Sequence, residues 1–250
     1  MIHVVHKSGT EKTNYTTLRA GSFSSGGAAF DLSLPSGSWK SRLNVDFGRQ
    51  GYKDARTSYV RGHASYRGAR GEENSRTWVT ADLNWLKQDP ASPFPREGAA
   101  LSTKIPLDAN YNPAGAFQDE TRFTGAFGTE RALRGKAQWS LTGSYSHAGI
   151  SQFRGFLADI SDTPGNANGF RETIDIHDIY ADTHVAWPER SGVRFVAGGD
   201  FLFGNGEGRG ARFAYFAPLA ATSAQRVARG TCSRPACSSR PTAACSARSS

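Results

Sequence analysis

In residues 39–47 the side chains alternate, with Trp39, Ser41, Leu43, Val45 and Phe47 on one parity and Lys40, Arg42, Asn44 and Asp46 on the other. A strand sends successive side chains to opposite faces, so this segment predicts a strand with one apolar and one charged face. The same period returns in residues 77–85, where Val79, Ala81, Leu83 and Trp85 oppose Trp78, Thr80, Asp82 and Asn84. It returns in residues 139–147, where Trp139, Leu141, Gly143 and Tyr145 oppose Ser140, Thr142, Ser144 and Ser146, and again from Val193 to Phe203. Weaker alternation over 14–22, 28–34, 59–67, 121–127 and 173–187 brings the expected number to about nine strands.

The connections between these segments are sorted. Pro35-Ser36-Gly37-Ser38 is a tight turn, residues 68–75 and 129–136 are short, and 188–192 is tight; residues 48–58, 88–120 and 149–172 are longer. In an up-and-down antiparallel sheet consecutive connections lie at opposite ends, so short turns gather on one rim and long loops on the other. Transmembrane β-barrels sort their connections this way, with strands whose apolar face meets lipid. The five tryptophans, Trp39, Trp78, Trp85, Trp139 and Trp187, fall at strand ends or within the band, where aromatic girdles lie. The expected fold is all-β: an antiparallel, up-and-down transmembrane β-barrel segment of about nine strands, an incomplete barrel forming an open curved sheet. A soluble β-sandwich ligand-binding module alternates in the same way, and a small self-contained barrel porin is a further alternative.

Composition narrows this reading. The 250 residues include 28 Gly and 11% aromatics, and no run approaches the ~18 uninterrupted apolar residues of a spanning helix. Met1-Ile2-His3-Val4-Val5-His6-Lys7 lacks the apolar core of a signal peptide, so no export signal is expected in the chain as given. Of the formal charge of +8, five arginines (Arg226, Arg229, Arg234, Arg240, Arg248) fall in residues 221–250, which contain no lysine, acid or aromatic. This basic, Ser-rich tail is expected to be disordered, and without aromatics for base stacking no nucleic acid is expected as its partner. All three cysteines, Cys232, Cys237 and Cys245, lie in the tail with no histidine near them, which argues against a zinc site. So abrupt a change after Leu219 is what an out-of-frame ending would produce.

Chemical motifs are sparse. In the run from Ile176 to His184, the residues Asp178, Tyr180, Asp182 and His184 share a face, but Asp178 and His184 stand ~20 Å apart at ~3.3 Å per residue, too far to hold one metal. A polar lumen wall is the better reading. Gly204-Asn205-Gly206-Glu207-Gly208-Arg209-Gly210-Ala211 matches G-x-G-x-x-A without a helix to follow it, and is expected to be a glycine-rich outer loop. His3, His6, His63 and His147 are scattered, and neither G-x-S-x-G nor H-E-x-x-H occurs. No enzyme, metal or cofactor is expected.

Several segments, in order, resemble a TonB-dependent outer-membrane receptor. Ile2-His3-Val4-Val5-His6-Lys7-Ser8-Gly9 is similar to the strand that ends the plug domain of that family, with His6 where Thr is common. Thr17-Leu18-Arg19-Ala20-Gly21-Ser22-Phe23 resembles the first barrel strand, and Gly51-Tyr52-Lys53-Asp54 the G-Y-R-D/N-N motif after the third. Residues 89–98 and 106–113 read like an outer loop of siderophore-type members. The likeness covers residues 1–217 and implies three parts: 1–12, the last plug strand and linker; 13–220, a partial barrel; and 221–250, the tail. It implies a fragment of a receptor that takes up a ferric siderophore or similar nutrient, inactive alone, whose parent sits in the outer membrane. Partners would be outer-membrane lipid, the chelate, and the TonB system through the missing N-terminal part. Substrate would first meet the outer loops, through Phe94, Tyr111, Phe117, Phe153 and Phe156 as aromatic surface and Arg96 and Arg154 as charge for an anionic chelate.

Overall fold

The computed structural model describes residues 14–54, 56–72 and 74–219. The expected plug strand and the cysteine-bearing tail lie outside them. What is described belongs almost wholly to one unit, Met1–Ala217.

Nine strands build a single antiparallel sheet in chain order. They are β1 (Tyr15–Ala20), β2 (Gly26–Ser33), β3 (Lys40–Gly51), β4 (Ser58–Glu72), β5 (Ser75–Asp89), β8 (Phe117–Ala132), β9 (Gln138–Leu157), β10 (Ala167–Ala186) and β11 (Val196–Tyr215); β6 (Arg96–Glu97) and β7 (Ala100–Leu101) form a small hairpin inside the β5–β8 connection. Each strand pairs with its neighbours in sequence, and among the described residues β1 and β11 remain as the two open edges. The sheet is therefore all-β, up-and-down and not closed. A sandwich needs a second sheet packed over the first, and among the described residues none covers either face. A self-contained barrel needs β1 to pair with β11, and it does not.

One rim carries only tight turns. Ser36 bridges Trp39, Glu72 pairs with Ser75, and Leu133 N–H donates to Ala137 O across a single 3-10 turn, Arg134–Lys136. Between β10 and β11 the pairing continues past the strand ends to Arg190 and Val193, with Ser191 at φ 51° and Gly192 at φ 78°. Two successive positive φ values match the right-handed twist of a hairpin, and Gly192 adopts one without a Cβ penalty. The opposite rim carries the longer connections, residues 90–116 and 158–166. It also carries the compact β1–β2 turn, closed by Gly21 N–H donating to Ser25 O, so the strict alternation of lengths begins only after β2.

The strands outrun the expected boundaries at the long-loop rim. β9 and β10 are each 20 residues, so the outer loop expected over 149–172 shrinks to 158–166. Residues 204–211 are not a loop: they lie in β11 and pair with β10 from Asp178 to Arg171. Glycine is a poor strand former, but here the ladder decides. A Cβ on Gly204 would sit 2.7 Å from Asp178 Oδ1, so the bare backbone leaves room for the facing carboxylate.

Candidate membrane-facing band and long-loop-rim site

The register sorts the side chains into two faces. Leu43, Tyr66, Ala81, Gly125, Tyr145, Ile179 and Phe203 form one row across seven strands. Val45, Leu83 and Phe123 continue this face toward the long loops, and Val79, Phe127 and Leu141 toward the turns. Arg42, Asn44, Asp82, Asn84, Ser140 and Thr142 all fall on the other face.

The apolar face is bare. Leu18 is 77% exposed, Phe127 50% and Phe201 57%, whereas the buried apolar residues, among them Ile105, Ala137, Leu157 and Ala217, lie at strand ends and in loops. So large an exposed apolar surface is uncommon on a soluble monomer. Its outline is informative. Toward the long loops the band stops at Phe47 on β3 and Trp85 on β5, at Phe123 on β8, and at Tyr145, Ile179 and Phe203 on β9, β10 and β11. Read along the pairing, that limit steps two residues toward the turns at β8 and two more at β9. The lower limit moves the same way, from Leu43 and Val79 to Trp139 and Val185. The band thus runs obliquely across the hydrogen-bond rows, about five to seven residues wide on these strands, as strands tilted against a flat slab would place it.

Polar side chains of the opposite face are tied together. Arg42 pairs with Asp31 and Arg19 with Asp46; His63 Nε2 lies 2.9 Å from Asp82, and His184 Nδ1 3.0 Å from Asp182. A depression of about 740 Å³ on this face is lined by Asp31, Arg42, Asn44, Arg67 and Asp82. The run from Asp178 to His184 contributes its even members to this wall, as the spacing suggested.

Near the long-loop rim the same face carries one row of a different character. Arg154, Phe170 and Arg212 stand directly opposite one another on β9, β10 and β11. The Arg154 guanidinium lies 5.6 Å from the Phe170 ring centre. A depression of about 1060 Å³ is lined by Phe156, Asn168, Phe170, Glu172 and Arg212. A cation over an aromatic face, with a second arginine in the same row, suits a planar or anionic ligand.

The structure brings together only part of the expected set. Phe153, Arg154 and Phe156 are on β9 and Phe117 opens β8, so none of the four is in a loop. Arg154 and Phe156 share the depression's face. Phe117 and Phe153 point the other way, their rings 6.4 Å apart, with Arg171 stacked over Phe153 at 4.8 Å. Phe94 stays in the loop and Arg96 in β6, apart from this row. Tyr111 is 4% exposed and offers no surface; its hydroxyl is buried, and burial together with the Asp162 carboxylate pushes it above the ordinary tyrosine range. Phe170 and Arg212 were missed because only the pairing shows them opposite Arg154.

Tyr111 belongs to a joint that holds the long loop down. Tyr215 Oη donates to Tyr111 O at 2.5 Å, and Tyr111 N–H donates to Ser92 Oγ at 2.8 Å. Buried Asn112 donates to Pro90 O and accepts from Gly155 N–H, both at 2.8 Å. A short polar side chain thus closes the loop on itself and onto β9. No helix of the described residues is long and apolar enough to cross a membrane, which has no bearing on crossing by strands. No protein-family model matches this chain, and none of the curated proteins matches it.

Proposed function

We propose that this sheet is a section of the wall of a transmembrane β-barrel of TonB-dependent receptor type in an outer membrane. The observation that carries the membrane part is the oblique apolar band: an exposed stripe staggered across tilted strands is what lipid of fixed thickness selects. A strand of 20 residues at ~3.3 Å per residue far exceeds a band ~25 Å tall, so β9, β10 and β11 project beyond the lipid on the loop side.

What supports the receptor type is the ordered set of likenesses, with Gly51-Tyr52-Lys53-Asp54 beginning at the last residue of β3. In this reading the polar face lines the lumen. The Arg154–Phe170–Arg212 row, with Phe156, receives an anionic chelate as it descends from the loops. The role is capture and passage, with no chemical step.

The test of the membrane reading uses tryptophan as its probe. Trp139 lies on the apolar face and Trp78 on the polar one. In variants retaining a single tryptophan, folded into vesicles with brominated acyl chains, Trp139 fluorescence is expected to be quenched and Trp78 spared. Equal quenching of the two, or none, rejects the membrane assignment. For the ligand, binding of a ferric catecholate is expected to weaken in Arg154→Ala and Arg212→Ala and to stay unchanged in Arg96→Ala.

A further inference from the structure

His147 and His177 lie far apart in sequence, yet the β9–β10 register sets them directly opposite each other on the apolar face, one step beyond Tyr145 and Ile179. Their rings stack with centres 4.5 Å apart at 21°. Asp175, the next residue of that face on β10, stands opposite Gly149, and where Gly149 lacks a side chain the His147 ring leans toward it. Asp175 meets both imidazoles, with Oδ2 at 3.1 Å from His147 Nε2 and Oδ1 at 2.5 Å from His177 Nε2. One ligand atom from each of the three residues falls within 4.8 Å of the others.

From this geometry we propose that His147, Asp175 and His177 form a binding site for a borderline divalent metal, zinc being the probe of choice. Two imidazoles and a carboxylate suit such an ion and leave a coordination position for water. The second coordination layer is present too. Tyr145 Oη lies 2.8 Å from His177 Nδ1, so when Nε2 binds metal the Nδ1 proton is held by the tyrosine, which fixes the tautomer and the ring plane. Tyr145 is thus a positioning residue. His63–Asp82 and His184–Asp182, on the other face, each offer one imidazole and one carboxylate, and among the described residues neither gains a third ligand. All three proposed ligands are partly exposed, so metal reaches them from the bathing solution. The assignment rests on register and distances and stands apart from the transport reading.

The full chain, folded into lipid vesicles with its three cysteines alkylated to silence the tail, is treated with diethyl pyrocarbonate with and without Zn²⁺. Modified histidines are then mapped by mass spectrometry. Expected is slowed modification at His147 and His177 together, with His63 and His184 unchanged; equal rates at all four with and without zinc overturn the site. Tyr145→Phe, which leaves every ligand in place, is expected to weaken zinc protection roughly tenfold. Unchanged protection in that variant removes the positioning role.

Discussion

A single glycine decides how closely the long loop can sit on the sheet. At Gly155 a Cβ would lie 2.5 Å from the Tyr215 hydroxyl and 2.7 Å from Asn168 O, while its N–H serves Asn112. Gly155→Val is therefore expected to force the β9 end and β11 apart, at about 1–3 kcal/mol, with faster proteolysis of residues 90–116 as the readout. Asn112→Ala leaves the Gly155 amide and Pro90 carbonyl without that partner and is expected to cost about 1–3 kcal/mol, seen as faster hydrogen exchange at Gly155. In the small hairpin of the same loop, Glu97 accepts from Ser102 Oγ at 2.7 Å and has Lys104 at 3.4 Å. The Ser102 bond first, and then Lys104, hold its carboxyl below the ordinary glutamate range against the opposing pull of desolvation. A depressed value means that this support is complete above the ordinary range and is lost as pH falls through the lowered value. Exchange in β6–β7 is expected to rise only there, and Glu97→Gln to abolish the pH dependence. The contacts of Gly155, Tyr215 and Asn112 have no sequence signature, because they join residues brought together only by the sheet, whereas those of Glu97 are local to one short hairpin.

At the scale of strands, alternation located all nine because the side chains of the two faces differ in polarity. It failed wherever both faces meet the same surroundings. Beyond Tyr145 and Ile179, residues such as Ser151, Gln152, Arg154 and Glu172 are polar on either parity, so the period carries no signal and the ladder's continuation looked like loop. The same blindness hid the metal-ligand trio: His147 and His177 have matching parity, but only the register places them in one row. The facing assignment has a direct mutational test. Leu141 and Thr142 are neighbours on opposite faces of β9. Leu141→Arg sits near the middle of the band and is expected to lower folding stability in lipid by about 2–4 kcal/mol, whereas Thr142→Arg, in a polar wall, is expected to cost far less. Urea titrations of vesicle-folded protein would compare the two, and equal losses would mean that the faces are wrongly assigned.

Among the described residues the nine-stranded sheet is an unclosed wall. The composition foresaw strands, and the sorted turns foresaw their order, but neither told how long each edge would be. In water the bare apolar face and the open backbone at β1 and β11 both invite partners. The chain is expected to sediment as oligomers in detergent-free buffer and to partition with lipid when vesicles are present; a monodisperse soluble monomer would count against the whole architecture. The two edges are also unequal: β11 presents a ladder of 20 residues and β1 one of 6. In hydrocarbon an unpaired peptide group costs several kcal/mol, so a strand arriving beside β11 is held far more firmly than one arriving beside β1. A strand that approaches the sheet therefore meets a long template on the β11 side and a short one on the β1 side.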